Sequence, residues 1–254
     1  MERLLKGYVG LVYAFMYLPI LVVAVFSFNA SDMIAFPLSG FTLDWYAKAL
    51  SDTRLLTGFG TSLLVAVPTA IAATALGAAA ALALTRYRFK RKYLFLALLV
   101  VPFFIPRIIL AVSHLIVMSE VGLERNLVTV IIAQTLIILP FTVMVIASVL
   151  IRLDSRVEEA AADLGATGWQ IFRRVQLPLM RNGLIAASFI AFVLSSSEYV
   201  LTNFVSGRSQ PLSILVASDF RFNLSPALDA LAMLIVLFNV AIVVVSEAVR
   251  MRSK

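Results

Sequence analysis

Ser155 to Pro178 reads SRVEEAAADLGATGWQIFRRVQLP and, taken from Arg152 onward, is the longest polar interruption in an otherwise apolar chain. Two helix starts lie inside it. Ser155-x-x-Glu158 and Thr167-x-x-Gln170 both have the spacing of a capping box, in which the two side chains satisfy orphan backbone donors reciprocally. Gly165 stands between them, where a helix C-terminus favours a residue able to take positive φ. Pro178, near the end of the second segment, bends or stops a helix. The stretch therefore predicts a short helix, a tight corner and a second short helix between membrane spans. In the first helix Val157, Ala160, Ala161 and Leu164 recur at helical spacing, leaving Glu158, Glu159 and Asp163 to the wetter sides. Acids suit its first turn, and Arg173 and Arg174 suit the later half of the second helix, by the macrodipole. The alanines admit close approach of another surface, with Trp169 and Phe172 as larger anchors. Periodicity alone fits equally well a hairpin that lies on the membrane.

Outward from this stretch, hydrophobic residues make up 61% of the 254 positions and the mean hydropathy is +0.99, far from the composition of a soluble domain. About 20 apolar residues span a bilayer. Six segments qualify: 8–28, 59–84, 93–118, 126–151, 184–205 and 227–249. Too little remains for a soluble domain. The expectation is one all-α, six-span membrane domain over residues 1–254, with the quoted stretch between spans four and five. The first span is long for a signal-peptide core and no small-residue cleavage motif comes after it, so it reads as retained. With no cysteine and one histidine, disulfides, thiolate metal sites and multi-histidine metal sites are excluded within the chain.

The net charge of +7 is distributed as topology rather than as a nucleic-acid surface. With the N-terminus inside, Arg3, Lys6, the five cations of 86–92, the five of 152–181, Arg250, Arg252 and Lys254 are cytoplasmic, 15 of the 21. Lys48, Arg54, Arg125, Arg208 and Arg221 fall outside, and Arg107 lies within a span. The positive-inside rule thus places both termini and the 152–181 loop in the cytoplasm. The 86–92 cluster is read as a topology anchor on anionic lipid.

Within the spans, the second is rich in alanine and glycine around Gly77, which predicts a central, closely packed helix. Pro102 and Pro106 predict a kinked or locally open third span. Arg107 at its middle, with His114 seven residues on, must face protein or a watery cavity, since a charge at bilayer centre costs about 2.5–3.5 kcal/mol on insertion scales. Arg107 is read either as lining a substrate pathway or as pairing with freed carbonyls or a neighbouring glutamate, and His114 as a polar packing residue. Span four carries Gln134 and Pro140. In span five, Ser195, Glu198 and Thr202 share a helix face, with Asn203 beside them, a polar stripe that defaults to function inside a membrane. Trp45 and Tyr46 read as interface aromatics, 207–226 as an outer loop, and Asp229 as a solvated cap.

The residues Glu159-Ala160-Ala161, Gly165, Val175, Leu177 and Pro178 meet the pattern E-A-A-x3-G-x9-[I/V]-x-L-P. This resembles the EAA loop of type I (MetI-like), binding-protein-dependent ABC-importer permeases, and the chain looks most like the second permease subunit of spermidine/putrescine-type systems. Gly40-Phe41-Thr42 with Trp45-Tyr46, and the LSPALDAL stretch ending at Leu231, resemble the same relatives. The resemblance implies that the loop is a coupling helix docking on a cytoplasmic ATPase, through Glu158, Glu159, Ala160, Ala161, Asp163, Gly165, Ala166, Trp169, Phe172, Leu177 and Pro178. It further implies a second permease subunit, two ATPase subunits that bind ATP and Mg, an extracytoplasmic substrate-binding protein, and a bacterial inner-membrane location. Those relatives carry an acidic pair where this chain has Ser197 and Glu198, so only the second acid is kept.

No Gly-x4-Gly-Lys-[Ser/Thr] loop occurs, so ATP hydrolysis is expected of a separate subunit, with this chain binding no cofactor and no metal. The substrate pathway is expected to involve Arg107, His114, Ser195, Glu198, Thr202 and Asn203. Arg107 favours an anionic or zwitterionic cargo over a plain polyamine. An ion-coupled secondary transporter through Glu198 and Arg107 would need internal repeats and helices broken at matching places, and the sequence signals neither. An intramembrane enzyme using Ser113, His114 or Glu198 lacks a second histidine, a paired carboxylate or a nucleophile elbow.

Overall fold

The computed structural model describes residues 1–32, 35–222 and 225–252; Lys254, one of the expected cytoplasmic cations, lies outside them. Among the described residues the chain is helical with no strand, apart from an isolated antiparallel bridge between Asn29 and Phe41. In order it runs α1 (Glu2–Phe26), α2 (Asp44–Ser51), α3 (Thr53–Arg86), α4 (Lys92–Val100) with a 3-10 turn Val101–Phe103, α5 (Arg107–Glu120) and α6 (Leu127–Leu150). Beyond these come α7 (Arg156–Asp163), α8 (Gly168–Ile171), a π-helical stretch Phe172–Gln176, α9 (Leu177–Leu179), α10 (Arg181–Ser196), α11 (Val200–Val205), α12 (Leu212–Phe222) and α13 (Pro226–Arg252).

Four helices are long and apolar enough to cross a membrane: Leu4–Phe26, Thr53–Arg86, Leu127–Leu150 and Pro226–Val245. Two bent pairs raise that to six if each is one span: Lys92–Phe103 with Arg107–Glu120, bent by 107°, and Gly168–Leu179 with Arg181–Ser196, bent by 67°. The third expected span is therefore broken outright. Pro106, with no amide to give and ψ of 134°, leaves helical geometry, and Arg107 begins α5 instead of sitting mid-helix. Span five also departs from expectation. It starts earlier, at Arg181, and is interrupted at 197–199 before α11.

By internal contacts the chain divides into two units, one of Met1–Gly58 with Leu215–Ala241, the other of Phe59–Ile214 with Ile242–Lys254. In the first, Trp45 is buried and donates its indole N–H to the Asn29 carbonyl at 2.8 Å, while Tyr46 shares a 2.7 Å hydrogen bond with Ser27. Both tie α2 to the end of α1 and are not the interface aromatics expected of them. Arg54 pairs bidentately with Asp219 at 3.0 and 2.6 Å. Two further expectations are corrected in this region. The outer loop holds an eleven-residue helix, α12, and the Asp229 Oδ2 is buried without a hydrogen-bond partner instead of solvated.

The second unit is built on α6. Asn126 caps it reciprocally with Thr129, and Pro140 sits inside it. Against one half pack α3 and α10, through Ala81, Leu82, Ile146, Leu150, Met180 and Ala187; against the other half pack α5 and α11, through Ala111, Met118, Val130, Ile137, Leu201 and Val205. Small residues set the spacing, as expected of α3. A Cβ on Gly77 would collide with the Thr142 hydroxyl and stand 2.8 Å from the Thr142 Cβ. That hydroxyl bonds the Ala73 carbonyl at 2.8 Å.

Candidate functional site

The elbow at 155–178 forms as two helical pieces around Gly165, whose φ of 85° is the left-handed value the corner needs. Its second start is capped as expected: Thr167 N–H donates to Gln170 Oε1 at 2.8 Å, and Gln170 N–H to the Thr167 hydroxyl at 3.4 Å. The first capping box does not form. Ser155 makes no side-chain cap bond; the Arg156 amide is taken by Asp154 Oδ1 at 2.9 Å.

Glu158 is drawn elsewhere. Its Oε1 accepts from Arg86 Nε at 2.7 Å and its Oε2 from Gln176 Nε2 at 2.7 Å, with side chains 11% (Arg86) and 14% (Glu158) exposed. A buried guanidinium offers a charge-assisted bond stronger than a backbone amide can, and the cap is sacrificed to it. Glu158 thus turns inward, opposite to the wetter side expected of it. Arg86 is likewise not a lipid anchor.

The face expected to be apolar points away from the bundle. Leu164 is 90% and Trp169 66% exposed, and the Trp169 ring stacks on Phe172 with centroids 5.4 Å apart. Glu159, Ala160, Asp163 and Gly165 are exposed too, Ala161, Ala166 and Phe172 half-buried, and Leu177 and Pro178 lie at the exit of the elbow.

The second candidate lies in the same unit, where the helix break at 197–199 faces the broken α4–α5 pair. A hollow of about 270 Å³ is lined by Arg107, Ile138, Phe141, Leu194, Ser197, Glu198, Tyr199 and Val200. Glu198 lies in the break between α10 and α11, and its carboxyl caps α11, accepting from Leu201 N–H at 3.0 Å, Thr202 N–H at 2.9 Å and the Thr202 hydroxyl at 2.8 Å. Gln134 donates to the Thr202 hydroxyl at 2.8 Å and accepts from Ser195. Each member of the relay Ser195–Gln134–Thr202–Glu198 is satisfied, as burial at membrane depth demands. The Arg107 guanidinium comes to 4.0 Å of Glu198 and is itself half-exposed.

The structure therefore joins Ser195, Glu198 and Thr202 into one cluster, through a helix break and not along a continuous face. It adds Gln134, whose signal in the sequence is an amide amid an apolar run. His114 bonds the Leu110 carbonyl of its own helix at 2.8 Å and does not line the hollow, and Asn203 is exposed away from it. Among the described residues no cluster of three or more metal-binding side chains occurs.

Residues 73–252 match the family of binding-protein-dependent transport system inner membrane components. The chain is 33% identical over 249 residues to the spermidine/putrescine transport system permease protein PotC of Escherichia coli (strain K12), covering 97% of this chain and 94% of that one. To the putrescine transport system permease protein PotI of the same organism it is 33% identical over 231 residues, covering 88% and 82%. Among solved structures, a chain of a bacterial ABC transporter involved in the import of the acidic polysaccharide alginate superposes with a TM-score of 0.72 at 14% identity, covering 99% of this chain and 95% of that one. One from the MetNI methionine ABC transporter superposes at 0.67 and 20% identity, covering 80% and 97%.

Proposed function

The chain belongs to the family of binding-protein-dependent inner-membrane transport components and is a permease subunit of an ABC importer, and on that premise we propose how it is coupled and what it carries. The 155–178 elbow is its docking element for a cytoplasmic ATPase, which binds the ATP and Mg that this chain has no phosphate loop to hold. A second permease subunit completes the pathway, and an extracytoplasmic binding protein delivers the solute. Both termini lie in the cytoplasm, as the cation distribution argues.

The observation carrying the coupling reading is the outward face of the elbow, Leu164 at the end of α7 and Trp169 in α8, while Glu158 of α7 is tied back into the bundle. Closure of an ATPase dimer would draw such elbows together and rock the bundle. ATP and loaded binding protein then favour the same state, so each helps the other bind. Glu159→Lys and Gly165→Pro should abolish substrate-stimulated ATP hydrolysis while the protein stays in the membrane. Normal coupled transport by both variants would rule the docking role out.

For cargo, the two named relatives support a polyamine. Arg107 supports a second reading, an anionic or zwitterionic solute: its guanidinium is half-exposed on the hollow, while the Glu198 carboxylate 4.0 Å away is buried and held by the amides of α11. Ligand screening of the cognate binding protein separates the two. Tight binding of spermidine or putrescine with no response to anions selects the first; the reverse selects the second.

A further inference from the structure

We propose that Arg86 is a positioning residue for coupling: through Glu158 it clamps the elbow to the ends of three long helices, so that force on α7 reaches the bundle directly. The proposal rests on the docking role given above and names the part of the chain that transmits it.

Without a clamp, an eight-residue helix flanked by short loops would hinge about Gly165 and about 152–155, and motion at its outer face would be lost in the loops. The geometry prevents this. Arg86 is the last residue of α3; its Nε donates to Glu158 Oε1 at 2.7 Å and its Nη2 to the Leu153 carbonyl, just past the end of α6, at 3.2 Å. Glu158 Oε2 accepts from Gln176 Nε2 at 2.7 Å, two residues before Pro178 and the start of the fifth span. The Glu158 carboxyl therefore ties α3 and the lead into α10 to the first turn of α7, and Arg86 adds the end of α6 through the Leu153 carbonyl. Phe172 packs behind it on the cluster of Leu82, Leu150 and Met180. A planar guanidinium with two fixed donor directions suits this better than a lysine ammonium would. Of the other cations of 86–92, Arg88, Lys90 and Arg91 are exposed and Lys92 is half-buried.

The test uses the complete transporter, reconstituted with its ATPase and its loaded binding protein. Arg86→Ala should leave the ATPase copurifying with the permease and able to hydrolyse ATP, yet lower the ratio of binding-protein-stimulated to basal hydrolysis at least tenfold. Arg86→Lys should recover part of that ratio, and the exchange Arg86→Glu with Glu158→Arg should recover more than either single change. Gln176→Met, a milder change of similar volume, should lower the ratio severalfold with assembly intact. A ratio within twofold of wild type in Arg86→Ala, or a loss of ATPase copurification in the Arg86 and Gln176 variants alike, overturns the clamp. A wild-type chain that never copurifies with an ATPase would instead overturn the docking reading beneath it.

Discussion

At the scale of single residues, the tightest constraint is Gly77 against Thr142. The Thr142 hydroxyl is held by the carbonyls of Ala73 and Leu139, both at 2.8 Å, and cannot swing clear of a methyl group placed on Gly77. Gly77→Ala should therefore destabilise the purified protein by about 1–3 kcal/mol through overpacking, seen as a lower melting temperature. Gly60→Ala, with nothing within 4 Å of the added Cβ, should be neutral or slightly stabilising, since alanine is the better helix former. Equal melting temperatures for the two would mean that α3 and α6 do not approach as described. Gly77 and the Gly165 corner are legible in the sequence because small size and positive φ are properties of the residue itself. Glu158 is not. Its spacing from Ser155 satisfies a local rule, but a partner 72 positions away outcompetes a backbone amide. Local pattern has no access to such a competitor. Trp45 and Asp229 mislead for the same reason: their place along the chain suggests an interface or a cap, while their partners or their burial come from tertiary structure.

At the scale of elements, the continuous spans are legible and the broken ones only in part. α1, α3, α6 and α13 are long uninterrupted apolar runs, and hydropathy finds such runs to within a few residues. The paired prolines announce a kink in the third span, but the 107° turn depends on Pro106 adopting an extended ψ that composition does not specify. The break at 197–199 carries no proline or glycine. It is stabilised by Glu198 capping α11 and by Ser213 donating to the Glu198 carbonyl at 3.0 Å, so its cause lies in side chains brought in from elsewhere. The 197–199 break lines the hollow together with Arg107, the first residue after the Pro106 break, and irregular backbone at membrane depth is tolerated where it is buried or borders a cavity. The elements least legible in the sequence are the ones that shape the candidate pathway.

At the scale of the whole molecule, this chain is a permease subunit of an ABC importer. It carries no phosphate-loop motif, and the coupling proposed for it rests on the elbow, where Leu164 and Trp169 are exposed and Glu158 is bonded inward to Arg86. The chain has no cysteine, so a single introduced thiol reports cleanly on what the elbow meets. The most direct measurement is therefore cross-linking from Leu164→Cys or Trp169→Cys in the assembled transporter. Docking of the elbow predicts a cross-link to the ATPase subunit from both positions, from the cytoplasmic side, with yield changing between nucleotide-free and ATP-bound states. Cross-links confined to lipid or to the binding protein, or reaction of these thiols with impermeant reagent from outside intact cells, would contradict it.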